Sequence, residues 1–338
     1  MAATQLMNMP IILNPKQLIE TKKYSGKTVI VTGGTGYVGS ALIAALIGNA
    51  ARIIRISRSK QPSIDGVIDV VANLHDPDAW HWMNGADVLF HLAAETSLAK
   101  TAADPLGSLK ANVEPVIHAI NAANKSSRRP ALVIAGTVTQ FGITDILPVN
   151  SDVQDNPVTT YDLHKLMAEK QLNLAVKVNG ISGCCLRLAN VYGPSLSASG
   201  APDRGIINKF ISMALNGQPL TIFGHGNYLR DCIYIDDVVT AFLAAGTTKA
   251  AQNGSGWVIS SGVGTSLHDI FTLIADRVEK LAGIPVEIKH TDWPEGASGI
   301  EFRNFIGDSS NFSDATGWSA HMPLVEGIDQ TIATWQGD

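Results

Sequence analysis

Thr32-Gly33-Gly34-Thr35-Gly36-Tyr37-Val38-Gly39 follows directly on the apolar run Thr28-Val29-Ile30-Val31 and leads into a segment rich in Ala, Leu and Ile. A strand that ends in closely spaced glycines and reopens as a helix has few ways to fold. Glycine permits the tight turn, lets backbone N–H groups approach a phosphate, and lets the helix sit close on the strand. The helix N-terminus then faces the phosphate charge. The glycines group as Gly33, Gly36 and Gly39 or as Gly34, Gly36 and Gly39. Either grouping suits a dinucleotide, with Tyr37 and Val38 beside it at the helix start.

The rest of the chain repeats this alternation. Strands are expected at Thr28–Val31, Arg52–Ser57, Val67–Val71, Val88–Leu92, Ala131–Ala135 and Ile181–Leu188. Helices are expected at Tyr37–Ile47, from about Pro105 to Asn124, and from Tyr161 to about Asn179. Continuous apolar strands between helices imply a parallel sheet covered on both faces. The fold class is therefore α/β, a Rossmann-like doubly wound parallel sheet with the glycine turn after its first strand. Beyond Asn190 the texture changes. The Pro194–Gly205 loop precedes helices at Ile206–Leu215 and Asp236–Ala245, which flank a strand at Leu220–Phe223. Further helices follow Ser266, with a strand at Pro285–Lys289. We divide the chain into an extension (1–25, with a short helix over Pro15–Lys23), a dinucleotide-binding domain (26–190) and a smaller C-terminal substrate-binding lobe (191–338) interleaved with the sheet.

A net charge of −5 gives no basic footprint for nucleic acid. Three cysteines, two of them adjacent in an apolar stretch at Cys184-Cys185, form no zinc-ligand spacing, so no metal is expected. No apolar stretch has the length of a membrane span, and the N-terminus lacks the pattern of a signal peptide. A cytoplasmic location is the expectation.

The second strand ends Arg55-Ile56-Ser57-Arg58-Ser59, without the carboxylate that commonly holds the ribose hydroxyls of NAD. Ser57 and Arg58 suit a 2′-phosphate instead, so NADP(H) is favoured and NAD(H) remains possible. Asn73 and Leu74, after the third strand, stand near the adenine end. His91-Leu92-Ala93-Ala94 closes the fourth strand, where the small side chains Ala93 and Ala94 and the neighbouring Leu92 leave room for the cofactor.

Tyr161 and Lys165 are spaced i, i+4 and so share one helix face. An ammonium beside a phenol stabilises the phenolate and lowers its pKa toward neutrality, and the same Lys165 can hold the cofactor ribose. Thr137, at the end of Ala131-Leu132-Val133-Ile134-Ala135-Gly136-Thr137, can touch a substrate oxygen and share its proton with Tyr161. Asn112, in the preceding helix, can position backbone or water for a proton relay.

Taken together, these motifs resemble the extended short-chain dehydrogenase/reductases, in the NAD-dependent epimerase/dehydratase family that acts on nucleotide-sugars. The resemblance runs from Lys27 to about Trp335. It includes Thr137 five residues before Gly142, Arg187-Leu188-Ala189-Asn190-Val191-Tyr192-Gly193-Pro194, Phe223-Gly224-His225-Gly226, Arg230-Asp231-Cys232-Ile233-Tyr234-Ile235-Asp236-Asp237-Val238 and Gly317-Trp318. It implies that Asn190 and Arg230 bind the substrate diphosphate and that Ile206, Ile207 and Phe223 pack on its base. Asp231 and Asp236 would organise the lobe. The family's arginine-containing turn stands here as Pro294-Glu295-Gly296-Ala297, and Arg303 is the candidate to compensate. The sugar dehydratases of the family carry Asp-Glu after the catalytic Thr. Val138 and Thr139 stand there instead, so dehydration is disfavoured and Thr139 is placed on the substrate side.

The implied chemistry is hydride transfer at a ring carbon, C4 favoured, of a nucleotide-diphosphate sugar. The first reading is an NADPH-dependent 4-ketoreductase and the alternative a 4-epimerase with retained cofactor. A non-sugar ketone reductase or a non-catalytic NADP(H)-sensing protein ranks lower. The resemblance also implies a homodimer.

Overall fold

The computed structural model describes residues 20–195, 205–293 and 299–336. Most of the N-terminal extension, most of the Pro194–Gly205 loop and the Pro294–Ala297 turn lie outside the described residues.

Seven parallel strands form the main sheet: β1 (Thr28–Thr32), β2 (Arg52–Ser57), β3 (Val67–Val71), β4 (Val88–His91), β5 (Ala131–Thr137), β6 (Gly183–Leu188) and β10 (Asn253–Ile259). Their order is β3-β2-β1-β4-β5-β6-β10, with the topological switch between β1 and β4. Register aligns Thr32 with His91, and Thr137 with Leu188. The carboxyl ends of the central strands therefore form one rim. Helix α1 (Tyr37–Leu46) is apolar nearly all round because it lies between the sheet and α7 (Ile235–Thr247).

The helix expected over 105–124 is two helices, α3 (Pro105–Asn112) and α4 (Glu114–Lys125). They break at Val113 because Pro115 has no N–H to extend the α3 ladder. A further helix, α2 (Leu98–Ala103), precedes them under a Ser97 cap. The long helix α5 (Thr160–Asn179) starts at a Thr159 cap and stops at left-handed Gly180.

Beyond β6 the chain builds two small sheets. One orders β11 (Gly264–Ser266), β9 (Leu229–Tyr234) and β7 (Asn190–Tyr192); the other pairs β8 (Leu220–Phe223) with β12 (Ile288–Thr291). Helices α6 (Ile206–Leu215), α8 (Leu267–Ala282), α9 (Ser310–Thr316) and α10 (Leu324–Gln336) complete this part. The strand expected at 285–289 runs instead over Ile288–Thr291. Segment β10 returns to the main sheet beside β6, and α7 covers the sheet through Phe242 edge-on to Phe90.

A buried ion pair locks α5 to the sheet. Glu169 accepts from Arg187 of β6 at 2.6 and 2.9 Å, and Arg187 lies over the Phe141 ring. Gln140 donates to both Glu169 (3.1 Å) and Asp155 (3.2 Å), and Asp155 also pairs with Arg187 (3.2 Å). Gly256 of β10 makes room: a Cβ there would stand 2.5 Å from Arg187 Nε. Breaking a buried pair leaves an uncompensated charge at a cost of about 3–5 kcal/mol. With Asp155 still beside Arg187, Glu169→Ala is expected at the low end, about 3 kcal/mol, in urea unfolding. A loss below ~1 kcal/mol would mean that the pair does not hold the helix.

Candidate active site

The glycine turn forms a cradle at the switch point. Gly33 has φ +70°, and a Cβ on it would stand 2.6 Å from the Ala93 nitrogen, so the turn lies directly against the end of β4. A Cβ on Gly39 would overlap the Gly33 carbonyl oxygen, which lets α1 approach the turn. Gly36 starts α1 with no side-chain cap, leaving the helix N-terminus to an anion. These features fit a dinucleotide pyrophosphate. Tyr37 turns away from it, donating to the Gly193 carbonyl at 2.8 Å and tying the cradle to the lobe.

At the rim, Thr32 Oγ1 lies 2.8 Å from His91 Nδ1. Burial, reinforced by the charge of Lys165, lowers the His91 pKa to about 3, so this imidazole is neutral in the folded protein. Along β2, Arg55 is buried under Gly34, with Nε on Asp69 (2.5 Å) and Nη2 on the Pro62 carbonyl (2.7 Å). Arg55 and the carboxylate facing it are thus committed to each other. Ser57 donates to the Ser59 carbonyl (2.8 Å), and Arg58 is exposed with no side-chain partner among the described residues. Asn73 is a turn residue: its Oδ1 accepts from His75 N–H at 3.2 Å, which commits that oxygen locally. Leu74 contributes its carbonyl to Trp80.

Tyr161 sits in the first turn of α5, half-buried, and Lys165 one turn on, buried. The hydrogen bond from Thr139, just past β5, to Asp162 sets this first turn of α5 at the rim. The expected lowering of the phenol pKa is corrected by the structure. Burial pushes Tyr161 up, Asp162 adds to the rise, and burial pulls the Lys165 ammonium down. Loss of water disfavours the charged form of both side chains. Thr137 accepts from Thr139 N–H at 3.2 Å, and the two hydroxyl oxygens are 2.9 Å apart. The Thr139 hydroxyl donates to Asp162. Asn112 is buried beneath this region; its Nδ2 donates to the Glu95 carbonyl (3.2 Å) and its Oδ1 has no hydrogen-bond partner.

Two guanidinium groups approach from the lobe. Arg230 is buried and donates to the carbonyls of Leu229 (3.1 Å), Arg303 (2.5 Å) and Glu301 (2.8 Å). Arg303 is lowered to about 10 by burial and by Arg230, opposed by the charge of Asp162. Its Nε and Nη1 are buried without a partner. Neither arginine has a carboxylate within ion-pair distance among the described residues. Asn190 donates to the Asp231 carbonyl (2.9 Å). Asp231 in turn accepts from Ser261 N and Oγ, Gly262 N and Gly307 N, binding two loops to β9. Ile207 is 1% exposed and belongs to the core. Only its neighbour Ile206, about 100° round the helix, is half-buried. Phe223 is 40% exposed and stacks on Trp293 at 5.3 Å, with Tyr228 and Phe302 edge-on to the same ring. A polar cleft of about 690 Å³, lined by Asp152, Lys170, Arg187 and Asp314 among others, contains none of the residues expected to bind or react.

Asp162 and Trp293 were missed in the sequence. Asp162 was visible as a carboxylate next to Tyr161, but nothing local links it to Thr139. Trp293 carried no motif.

The model of the NAD dependent epimerase/dehydratase family matches residues 29–260. A UDP-glucose 4-epimerase from Mycolicibacterium smegmatis is 27% identical over 90% of this chain and 96% of its own length. A putative UDP-glucose 4-epimerase from Methanocaldococcus jannaschii is 27% identical over 90% and 97%. Among solved structures, a UDP-glucose 4-epimerase with UDP-glucose from Thermotoga maritima superposes with TM-score 0.80 at 24% identity, covering 92% of this chain and 99% of that one. That structural likeness establishes the fold.

The neutral His91 makes stability depend on pH. Between its folded value of about 3 and the ordinary 6.5, the unfolded chain binds a proton that the folded one does not. Stability therefore falls as pH drops through this window, with a slope of up to about 1.4 kcal/mol per pH unit. Urea unfolding of His91→Asn between pH 4.5 and 7 is expected to lose that one-proton slope. An unchanged slope would show that His91 is charged in the folded state.

Proposed function

The chain belongs to the NAD dependent epimerase/dehydratase family, and on that premise we propose that it interconverts the C4 epimers of a UDP-linked hexose, keeping its nicotinamide dinucleotide through both half-reactions. The observation that carries this reading is the Arg230–Arg303 pair. Neither guanidinium has a carboxylate within ion-pair distance among the described residues, the Nε and Nη1 of Arg303 are buried without a partner, and Arg303 stands within electrostatic reach of Asp162, next to Tyr161. A diphosphate offers the charge and the bidentate oxygens they lack. A neutral ketone does not.

A nicotinamide dinucleotide held at the glycine cradle would supply a hydride acceptor and then donor for C4. Tyr161 exchanges the proton of O4 and Thr137 orients that oxygen. Lys165 holds the cofactor ribose and supplies positive charge beside the phenol. The phenol's raised pKa in the free protein favours the half-reaction in which it returns a proton to the keto oxygen, and the positive charge of Lys165 favours the half-reaction in which it takes the proton of O4. Phe223 and Trp293 offer ring faces to a base, with Ile206 at its edge. Of the two reactions that share this machinery, epimerisation is preferred to net 4-keto reduction because the curated relatives that match along 90% of the chain carry epimerase names. For the cofactor we favour NADP(H): Arg58, exposed and unpaired among the described residues, sits at the end of β2, and Asp69 is taken up by Arg55.

Proton NMR of UDP-galactose incubated with the purified protein, without added cofactor, is expected to show UDP-glucose. No change in this or other UDP-hexoses overturns the reading. Tyr161→Phe should lower kcat by about 10²–10⁴ while cofactor binding stays within a few-fold. Arg58→Ala should weaken NADP(H) at least about tenfold more than NAD(H), the worth of one charge-assisted contact; an unchanged ratio rejects the NADP(H) preference.

A further inference from the structure

We propose that Arg55 sets the choice of dinucleotide: it neutralises Asp69 and pins the segment 57–62, and so lets the end of β2 receive a 2′-phosphate. This rests on the NADP(H) preference proposed above and adds a positioning residue to Arg58.

The alternation of β2 puts Ile53, Arg55 and Ser57 on one face of the sheet. That face is the one α1 covers: Ile53 shares a core cluster with Leu42, Ile43 and Leu46, whereas Ile54 and Ile56 belong to the cluster on the other side. An aliphatic side chain would serve packing at position 55. The chain instead buries a guanidinium, 3% exposed, which is unfavourable unless the charge is paired. Its stem runs under the glycine turn, since a Cβ on Gly34 would stand 3.0 Å from Arg55 Cγ. The side chain thus begins beneath the cofactor cradle and ends on two partners, Asp69 Oδ1 at 2.5 Å and the Pro62 carbonyl at 2.7 Å.

Asp69 stands opposite Arg55 in the parallel pairing of β2 with β3, two residues before β3 ends. Val67, on the same face of β3, packs on the α1 side of the core. The carboxylate therefore lies on the face that carries the glycine turn, and it is 22% exposed. Left unpaired there, it would suit ribose hydroxyls and repel a 2′-phosphate. Paired with Arg55, it does neither.

The second bond of Arg55 shapes the segment that follows β2. Ser57 Oγ donates to the Ser59 carbonyl at 2.8 Å, and Gln61 Nε2 donates to that carbonyl and to Ser59 Oγ, both at 3.0 Å. Arg55 anchors the far end at Pro62. Folded this way, the segment leaves Arg58 and Lys60 exposed beside the strand end. Neither has a carboxylate within ion-pair distance among the described residues. Asp65 follows Pro62 but is exposed, where water and salt screen it. Two free cations over a neutralised carboxylate suit a phosphate dianion better than a pair of ribose hydroxyls.

Dinucleotide that stays with the purified protein is extracted, and NADP is weighed against NAD by mass spectrometry. Protein that retains none is titrated calorimetrically with 2′,5′-ADP and with 5′-ADP. Only binding is read, so the outcome does not depend on which sugar reacts. The wild type is expected to favour the 2′-phosphorylated form. Arg55→Met keeps the buried stem, and water can reach the carboxylate it leaves. It should lower the preference at least about tenfold. Adding Asp69→Asn to Arg55→Met should raise the preference again at least about threefold, because the uncovered charge is gone. Should Arg55→Met fail to fold, Arg55→Lys decides. Its ammonium can pair with Asp69 but lacks the fork that also holds Pro62, and the preference should fall at least about threefold. A preference that persists in the Arg55 variants, or an equal weakening of both nucleotides, overturns the role of Arg55 and spares that of Arg58. No gain from Asp69→Asn overturns the neutralisation of Asp69. A wild type that favours the form without the 2′-phosphate overturns the NADP(H) reading and this one together.

Discussion

The arrangement of the site depends on the buried pair between Glu169 of α5 and Arg187 of β6. Tyr161 and Lys165 stand on the same helix as Glu169, two turns and one turn before it. Thr137 ends β5, whose register with β6 sets Gly136 opposite Arg187. One ion pair therefore fixes the helix that carries the phenol and the ammonium against the strand that carries the hydroxyl. Gln140, only three residues after Thr137, bonds the same carboxylate and closes the link at 3.1 Å. A longitudinal slip of α5 by one residue, about 1.5 Å, would part this pair and shift the core side chains Ala168, Leu172 and Ala175 with it.

From that fixed point the rest is convergence. The parallel sheet brings the ends of β1, β4, β5 and β6 to one rim, and the glycine turn lets α1 start there without side chains in the way. The lobe contributes positive charge where the sheet domain has buried carboxyl and hydroxyl groups. Its backbone is held by Asp231, which takes four hydrogen bonds from two loops and so positions the strand carrying Arg230. Burying two arginines together costs free energy that their carbonyl contacts only partly offset. A dianionic ligand would restore it at the unpartnered Nε and Nη1 of Arg303.

Much of this was legible in the sequence because the β1–β6 strands are mainly apolar runs with polar borders, interrupted only by Arg55, Asp69 and Arg187. Strand β10 was not, since Asn253-Gly-Ser-Gly reads as a loop until Trp257 and is a strand only because β6 offers an edge. The α3/α4 break was written in Pro115 but masked by the helical propensity around it. Ile206 and Ile207 are chemically alike, and which faces the core depends on helix rotation, a tertiary fact. The Tyr161–Lys165 spacing correctly implied one helix face but not the direction of the phenol's shift, because sequence shows the neighbouring charge and hides the burial. The Thr139–Asp162 contact spans 23 residues and exists only because the end of β5 meets the start of α5.

The central claim is that hydride leaves and returns within one closed site. Its most direct test mixes UDP-galactose deuterated at C4 with UDP-galactose carrying ¹³C throughout the hexose, and weighs the products by mass spectrometry after many turnovers. The account predicts UDP-glucose in which deuterium stays on the ¹²C sugar, with no doubly labelled species and no dependence on added NADP(H). Deuterium that crosses to the ¹³C sugar or is lost to an exchanging cofactor pool would contradict it.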